Sequence, residues 1–415
     1  MSLIKNGEII PYFQPILSIE DKCVFGYETL GRLKLQNGEI ISLGNFFTAK
    51  FYSWLEYKGI CQQVASDYKA IDNLLQFKSL EKIKNDPNKK SKLFINVSPS
   101  LLEDNSHGDE YFSNLIDSIE KVGLSPDRIV IEITEEYIRT GLKPLRPKIE
   151  YLKSLGCLIA IDDLGTKSSN LDRIGFFQPD IIKIDMQILK MSVVDRNYEQ
   201  ILYTIAQLSE SIGISVLYEG IETEEELFHA MSFGSRYIQG YLFEKAQPNL
   251  IKREYFYHTT NRLLAKFYIQ TTDALRARVS WENEIENKLN SLNLKDLKLN
   301  NYMNYASSYE EIFKIDRNIY RFFITDIYGN QVSPNYIRGL NNEILIDYGN
   351  PGNNWSWRPY FLNHIYRTYR IPSRWVISKP YRDILKNLIL RTFSLSLDDN
   401  LIIFIDLIYK ESKII

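Results

Sequence analysis

Residues 1–247 alternate short apolar runs with stretches whose apolar positions recur every three to four residues. The runs are Tyr12–Ile19, Val24–Leu30, Leu93–Val97, Ile129–Thr134, Leu158–Asp162, Ile181–Ile184, Val216–Tyr218 and Tyr237–Phe243. Their length and richness in Ile, Val and aromatic residues predict strands. Between them, Ile201, Leu202, Ile205, Leu208 and Ile212 make one helical stripe that stops at Gly213. Tyr151, Leu152 and Leu155 likewise lead into Gly156. Repeated strand–helix alternation predicts largely parallel pairing, because a parallel neighbour is reached only through a crossover. Eight runs in roughly 250 residues match the size of a (β/α)8 barrel. The competing doubly wound sheet would need a Gly-rich phosphate turn opening a helix, and the sequence has none.

After Pro248 the pattern changes. Residues 249–293 contain neither Pro nor Gly, and Leu264, Phe267, Tyr268 and Leu275, then Trp281, Ile285, Leu289 and Leu292, keep helical spacing. This predicts a long connecting helix, straight or broken once. Further on, strand-like runs at Arg321–Ile327, Ile344–Tyr348, Thr392–Leu397 and Leu401–Ile408 alternate with turn signals at Tyr328-Gly329-Asn330 and Asp398-Asp399-Asn400. The expected organisation is a barrel over 1–248, a connecting helix over 249–296 and a smaller α+β domain on an antiparallel sheet over 297–415.

Composition narrows the class. The chain has 415 residues, 44% hydrophobic and 25% charged, which is ordinary for a globular protein. Its 50 Lys and Arg nearly balance 52 Asp and Glu, which argues against a nucleic-acid polymer held by overall charge. Three cysteines, Cys23, Cys61 and Cys157, are too few and too scattered for a disulfide framework or a zinc site. Lys5 and Glu8 interrupt any apolar run at the start, and no stretch reaches the ~18 apolar residues of a membrane span. A soluble, cytoplasmic protein is expected.

The residues that end the eight runs carry the chemistry. They are Gln14, Glu28, Asn96, Glu132, Asp162-Asp163, Lys183, Glu219 with Glu222, and Gln239. Barrel sites assemble at the C-terminal ends of strands, so these groups should converge on one face. Carboxylates with one Asn, and no His or Cys, form a hard-oxygen set suited to Mg2+ or Mn2+. So many like charges would repel one another unless cations were bound among them. The adjacent pair Asp162-Asp163 suggests two metals, which together activate a water and steady the leaving oxygen of a phosphodiester. Any one of these acids alone would more simply be a cap or a solvated loop residue. Their coincidence at eight strand ends is what favours a site.

At this point a resemblance enters. Gly26-Tyr27-Glu28-Thr29-Leu30-Gly31-Arg32, Asn96-Val97-Ser98, Glu132-Ile133-Thr134-Glu135, Asp162-Asp163-Leu164-Gly165-Thr166, Lys183-Ile184-Asp185, Glu219-Gly220-Ile221-Glu222 and Gln239-Gly240-Tyr241-Leu242 resemble, in order, the motifs of the EAL family. That family comprises barrel phosphodiesterases that linearise cyclic di-GMP to pGpG. Asn354-Trp355-Ser356-Trp357-Arg358-Pro359-Tyr360-Phe361 and the PAS/Cache-like carboxyl-terminal half resemble the YkuI type within it. The resemblance implies that Glu28, Asn96, Glu132 and Asp162 hold a first metal and Asp162, Asp163 and Glu219 a second. It implies that Lys183 touches the attacking water or a phosphate oxygen, that Gln239 orients that water, and that Glu135 braces the loop after the fifth run, Leu158–Asp162. Gln14, Glu28, Leu30, Arg32, Pro179 and Asp180 would contact the ligand. The side-chain chemistry agrees: Arg32 offers a planar fork for a phosphate and Leu30 an apolar face for a base.

The sequence also departs from the family pattern. Thr29 replaces Ala, and Leu164-Gly165-Thr166-Lys167-Ser168 replaces a loop that usually reads Phe-Gly-Thr-Gly-Tyr. Losing Gly at position 167 restricts the backbone of the loop after Asp163. Tyr218, Arg236 and Ala246 replace a small residue, an acid and a Pro. Two readings follow: a metal-dependent cyclic di-GMP phosphodiesterase, or a cyclic di-GMP receptor whose altered loop has lost turnover. A third, another metal-assisted barrel chemistry such as enolisation, fits the ligand set but not the ordered motifs. Between Pro351 and Leu390, seven basic residues (Arg358, Arg367, Arg370, Arg374, Lys379, Arg382, Lys386) face one acid, Asp383. That stretch reads either as a solvated basic face or as a pocket for a small anionic ligand walled by Trp355, Trp357 and Tyr360. His364 is read as structural. By analogy with sensor architectures, a homodimer is expected.

Overall fold

The computed structural model describes residues 7–43, 64–99, 108–134, 142–164, 170–292, 306–339, 341–370, 374–383 and 388–409, with Leu102, Leu294 and Lys386. The chain divides into two compact units, Met1–Tyr268 and Ile269–Ile415.

The first unit is a closed eight-stranded α/β barrel. Its staves are β1 (Gly7–Ser18), β2 (Cys23–Leu35), β4 (Lys92–Val97), β5 (Ile129–Ile133), β6 (Leu158–Leu164), β7 (Ile181–Ile184), β8 (Ser215–Tyr218) and β9 (Ser235–Ile238), with β3 (Ile40–Ser42) pairing outside β2. From β2 through β9 the staves run parallel, in chain order. One feature differs from the parallel expectation: β1 is antiparallel to both β2 and β9. The connection from Ser18 to Cys23 is too short for a crossover, so only a hairpin can form. It is fixed by Asp21 N donating to Ser18 Oγ at 3.0 Å and by Lys22 at φ 56°.

Helices between the staves cover the outside. They are α1 (Val64–Lys84), α2 (Gly108–Val122), α3 (Arg146–Leu155), α4 (Asn170–Phe177), α5 (Met186–Val194), α6 (Arg196–Ile212) and α7 (Glu224–Ser232). Local chemistry sets their ends. Asp195 accepts from Asn197 N to cap α6, whose stripe buries Leu202 and Ile205, and Gly213 at φ 75° stops it. Thr223 and Glu226 form a reciprocal capping box at the start of α7. Inside the barrel a small apolar plug of Ile16, Phe94, Val130, Ala160, Ile181, Leu217 and Tyr237 fills the floor. Phe25 stacks on Tyr237 with ring centroids 4.1 Å apart.

The Pro- and Gly-free stretch forms a single helix, α8 (Tyr257–Asn290), of 34 residues. The second unit continues with α9 (Ala306–Ile315), β10 (Ile319–Asp326), β11 (Asn335–Arg338), β12 (Ile344–Asp347), α10 (Pro359–Arg370), β13 (Val376–Ile377), β14 (Tyr381–Arg382), β15 (Ile389–Ser396) and β16 (Leu401–Ile408). Its sheet is antiparallel in the order β12-β11-β10-β16-β15-β13, with β14 also on β15. Ile285 and Leu289 of α8 pack with Phe322, Phe393 and Ile405 on one side of the core, and Phe361 of α10 packs with Phe323 and Phe404. His364 is fully buried, its ring nitrogens 2.8 Å from Ser394 Oγ and 3.1 Å from Ser396 Oγ. No helix among the described residues is long and apolar enough to cross a membrane.

Candidate functional site

The barrel floor dictates where the polar residues sit. Side chains two apart on a strand share a face. Counting two residues on from Phe94, Val130, Ala160, Ile181, Leu217 and Tyr237 of the plug gives Asn96, Glu132, Asp162, Lys183, Glu219 and Gln239. On the antiparallel β1 the count runs backwards, from Ile16 to Gln14, which is paired directly with Glu28 of β2. Gln14 therefore reaches the same layer from mid-strand rather than from a strand end. An apolar layer below and a polar layer above make a cup at the C-terminal ends of the parallel staves.

Lys183 stands at its centre. Its Nζ lies 2.5 Å from Glu219 Oε1, 2.7 Å from Glu132 Oε1, 3.0 Å from Asp162 Oδ1 and 3.8 Å from Glu28 Oε1. The Glu132, Asp162 and Glu219 contacts are close ion pairs. Glu28 is held separately, accepting from Asn96 Nδ2 at 3.3 Å and from Gln239 Nε2 at 2.6 Å. Among the described residues, Glu132 Oε2 and Gln239 Oε1 are buried with no hydrogen-bond partner. Among the described residues, no three His, Cys, Asp or Glu side chains are arranged to hold a metal ion; Glu132, Asp162 and Glu219 turn to the ammonium instead.

One ammonium cannot neutralise four carboxylates, and the protonation equilibria register it. Burial, only partly offset by Lys183, drives the Glu132 carboxyl well above the usual range, with Glu28 and Asp162 adding to the rise. Burial likewise pushes Glu219 up to about 8, against the pull of Lys183. For Lys183 burial works downward, but Asp162, Glu132, Glu219 and Glu28 outweigh it and hold the amine well above an ordinary lysine. The cup holds more acidic groups than its one ammonium can balance, so burial favours protons there that a divalent cation would displace.

The wall beside the cup is the β1–β2 ribbon. Glu28, Leu30 and Arg32 alternate onto one face of β2, opposite Gln14, Tyr12 and Ile10. Leu30 is half-buried. The Arg32 guanidinium lies 5.3 Å over the Tyr12 ring and donates to Gly31 O at 2.9 Å and Ser42 Oγ at 3.3 Å. Burial lowers its pKa, against opposing pulls from Tyr12, Tyr241 and Glu28. The substituted Thr29 points to the other face, where it is buried.

Several sequence-predicted residues do not join the cup. Pro179 and Asp180, expected as ligand contacts, precede β7 at the start of that strand, apart from the carboxylates around Lys183. Asp180 Oδ2 accepts from Ile159 N at 2.8 Å, and Asp180 O accepts from Ser215 N at 3.0 Å, which ties the starts of β6, β7 and β8 together. Both residues line a cleft of about 640 Å³ at that end, with Leu158, Gln178 and Tyr237. Glu222 turns outward to Lys190 at 3.3 Å. Glu135, the side chain of Asp163 and residues 165–169 lie outside the described residues. Leu164 is buried in the outer core, directly after a register shift between Ile161 and Leu164 in the β6–β7 ladder. Tyr218, too, is wholly buried, its hydroxyl donating to Phe233 O at 3.3 Å.

Sequence reasoning missed three contributors. Tyr12 was legible as the same-face neighbour of Gln14, two residues back. Arg173 of α4, buried, donates to Thr134 O at 3.1 Å and fixes the exit of β5; a lone Arg on a helix gave no signal. Gly240 lets the turn carrying Gln239 press against Ile221, where a Cβ would lie 2.0 Å from the Ile221 carbonyl oxygen.

Comparison with known proteins places this geometry. The sequence profile of the EAL domain matches residues 1–246, and that of an EAL-domain-associated signalling protein domain matches residues 250–411. Over 412 residues the chain is 31% identical to YkuI of Bacillus subtilis strain 168, described as an uncharacterized EAL-domain-containing protein; the match covers 98% of this chain and 96% of that one. The crystal structure of YkuI in complex with cyclic di-GMP and calcium superposes with a TM-score of 0.82 at 30% identity, covering 97% of each chain. The probable cyclic di-GMP phosphodiesterase PdeA of Escherichia coli K12 is 30% identical over 248 residues, 59% of this chain and 31% of that protein.

Proposed function

The chain belongs to the EAL-domain family, and from that premise we propose that its barrel cup binds cyclic di-GMP and, with divalent cations, hydrolyses one phosphodiester bond to give linear pGpG. The observation that carries this reading is the convergence of Glu28, Glu132, Asp162 and Glu219, from four strands, beside Asn96 and Gln239. The donor set fits a hard divalent cation, since every candidate ligand atom is oxygen and Glu132 Oε2 is buried without a partner among the described residues. Glu28, Asn96, Glu132 and Asp162 would hold one ion, and Asp162, Asp163 and Glu219 a second, with Mg2+ or Mn2+ as the expected species. When bound, such ions polarise a phosphoryl oxygen and make a water more acidic.

The chain's own residues do the rest. Gln239 donates to Glu28 through Nε2, which leaves Oε1 to accept from the attacking water. Asn96 steadies Glu28 from the other side. Arg32 presents a cation to a phosphate, while Leu30 supplies apolar surface for a base and Gln14 an amide at the rim. Lys183 touches the water or a phosphate oxygen. The water oxygen adds to phosphorus as the P–O3′ bond breaks, the departing 3′ oxygen takes up a proton, and the 5′ phosphate stays on the product. The test is incubation of the full chain with cyclic di-GMP and Mn2+, alongside a binding titration. Tight binding without product would replace the enzyme reading with the receptor reading.

A further inference from the structure

We propose that Lys183 is the resident counter-ion of the carboxylate cup and competes with the divalent cation for it, so that this one side chain sets the cation affinity. The inference rests on the reading of the cup as a divalent-cation site. The carboxylates of Glu132, Asp162 and Glu219, all assigned above to cation binding, hold Nζ through Oε1, Oδ1 and Oε1 at 2.7, 3.0 and 2.5 Å. An ammonium held this closely by three carboxylates repels a divalent cation brought among the same groups, which needs their oxygens at roughly 2.0–2.6 Å. The exchange is possible because the charge sits on a flexible four-carbon stem. Glu28 is less involved: it lies 3.8 Å from Nζ and keeps its two amide donors whether or not the lysine stays.

The arrangement has two consequences. Without metal, Lys183 keeps four acids from repelling one another in a buried layer where its own side chain is only 1% exposed. With metal, the ammonium leaves Glu132 and Asp162 and becomes free to meet the water or phosphate oxygen. The lysine thus stabilises the empty cup at the expense of the loaded one, so removing it should tighten cation binding.

The experiment is calorimetric titration of the full chain with Ca2+, without nucleotide, for wild type, Lys183→Met and Lys183→Arg, each checked for native circular dichroism. Lys183→Met should bind Ca2+ ~10-fold or more tightly than wild type, whereas Lys183→Arg, which keeps the competing charge, should stay within about threefold. Equal or weaker binding by a folded Lys183→Met overturns the inference while leaving the cation site intact. No Ca2+ binding by any of the three overturns the cation reading itself. Should the Met variant not fold, a crystal structure of wild type with Ca2+ decides. Nζ withdrawn beyond 4 Å from Glu132 and Asp162 supports the exchange, and Nζ still paired with both beside a bound ion refutes it.

Discussion

Acid should weaken the second unit through one residue. His364 is fully buried on α10 with both ring nitrogens engaged by serine hydroxyls, and burial pulls its pKa from 6.5 down to about 4. Because the folded pKa is depressed, the neutral ring contributes its full stability above pH 6.5. That contribution is lost as the pH falls from 6.5 through about 4, since the unfolded chain takes up the proton first. At about 1.4 kcal/mol per pH unit, the loss is about 3 kcal/mol, a large share of a domain's stability. Four of the five tryptophans, Trp281, Trp355, Trp357 and Trp375, belong to the second unit, so their fluorescence reports its unfolding in urea. The comparison is wild type against His364→Leu from pH 7.5 to 4. The variant is less stable at pH 7.5, having lost the serine contacts, and the gap should narrow by about 3 kcal/mol across the window. Parallel pH profiles for the two proteins would refute the reasoning.

Other outcomes follow from the barrel. Asp180→Ala should lower stability by about 1–3 kcal/mol, because the Ile159 N–H loses its acceptor. Its effect on cyclic di-GMP turnover should stay within about threefold; a large loss of turnover in a folded variant would return Asp180 to the ligand site. Arg32→Ala should weaken cyclic di-GMP binding by about 10–100-fold in a titration, the worth of a charged hydrogen bond or two. Unchanged affinity would remove Arg32 from the site. Gly240→Ala should lower the melting temperature and abolish turnover together, since the new Cβ would fall 2.0 Å from a backbone oxygen beside Gln239; a wild-type melting curve would contradict that packing.

Much of the barrel was written in its periodicity. The eight runs are the eight staves, and the rule of two links each plug residue to the polar group above it, so the strand-end residues could be read as one layer. What the pattern could not carry was direction. Gln14 meets Glu28 because a tight turn at Asp21 and Lys22 reverses β1, and turn length rather than hydrophobicity decides that. Asp180 sits three residues from Lys183, but on a strand as short as Ile181–Ile184 this separation spans the barrel from floor to rim. Sequence proximity to a motif cannot tell the two ends apart. In the second unit the two-residue strands β13 and β14 are too short to leave a period, and their pairing with β15 comes from tertiary context. Among the basic residues of 351–390, Arg358 illustrates a further limit: besides its sequence neighbour Tyr360, 5.5 Å away, its guanidinium lies 5.6 Å over Tyr381, an aromatic that only folding brings near.

The central claim is that the acidic cup converts cyclic di-GMP to its linear form. The purified 415-residue chain, incubated with cyclic di-GMP and either Mn2+ or Mg2+ and analysed by chromatography, tests it most directly. The account predicts that pGpG accumulates with wild type, and that none forms with a folded Glu28→Ala, in which the acceptor for both Asn96 and Gln239 is gone. Cyclic di-GMP left intact by wild type at high protein concentration with both cations would contradict it.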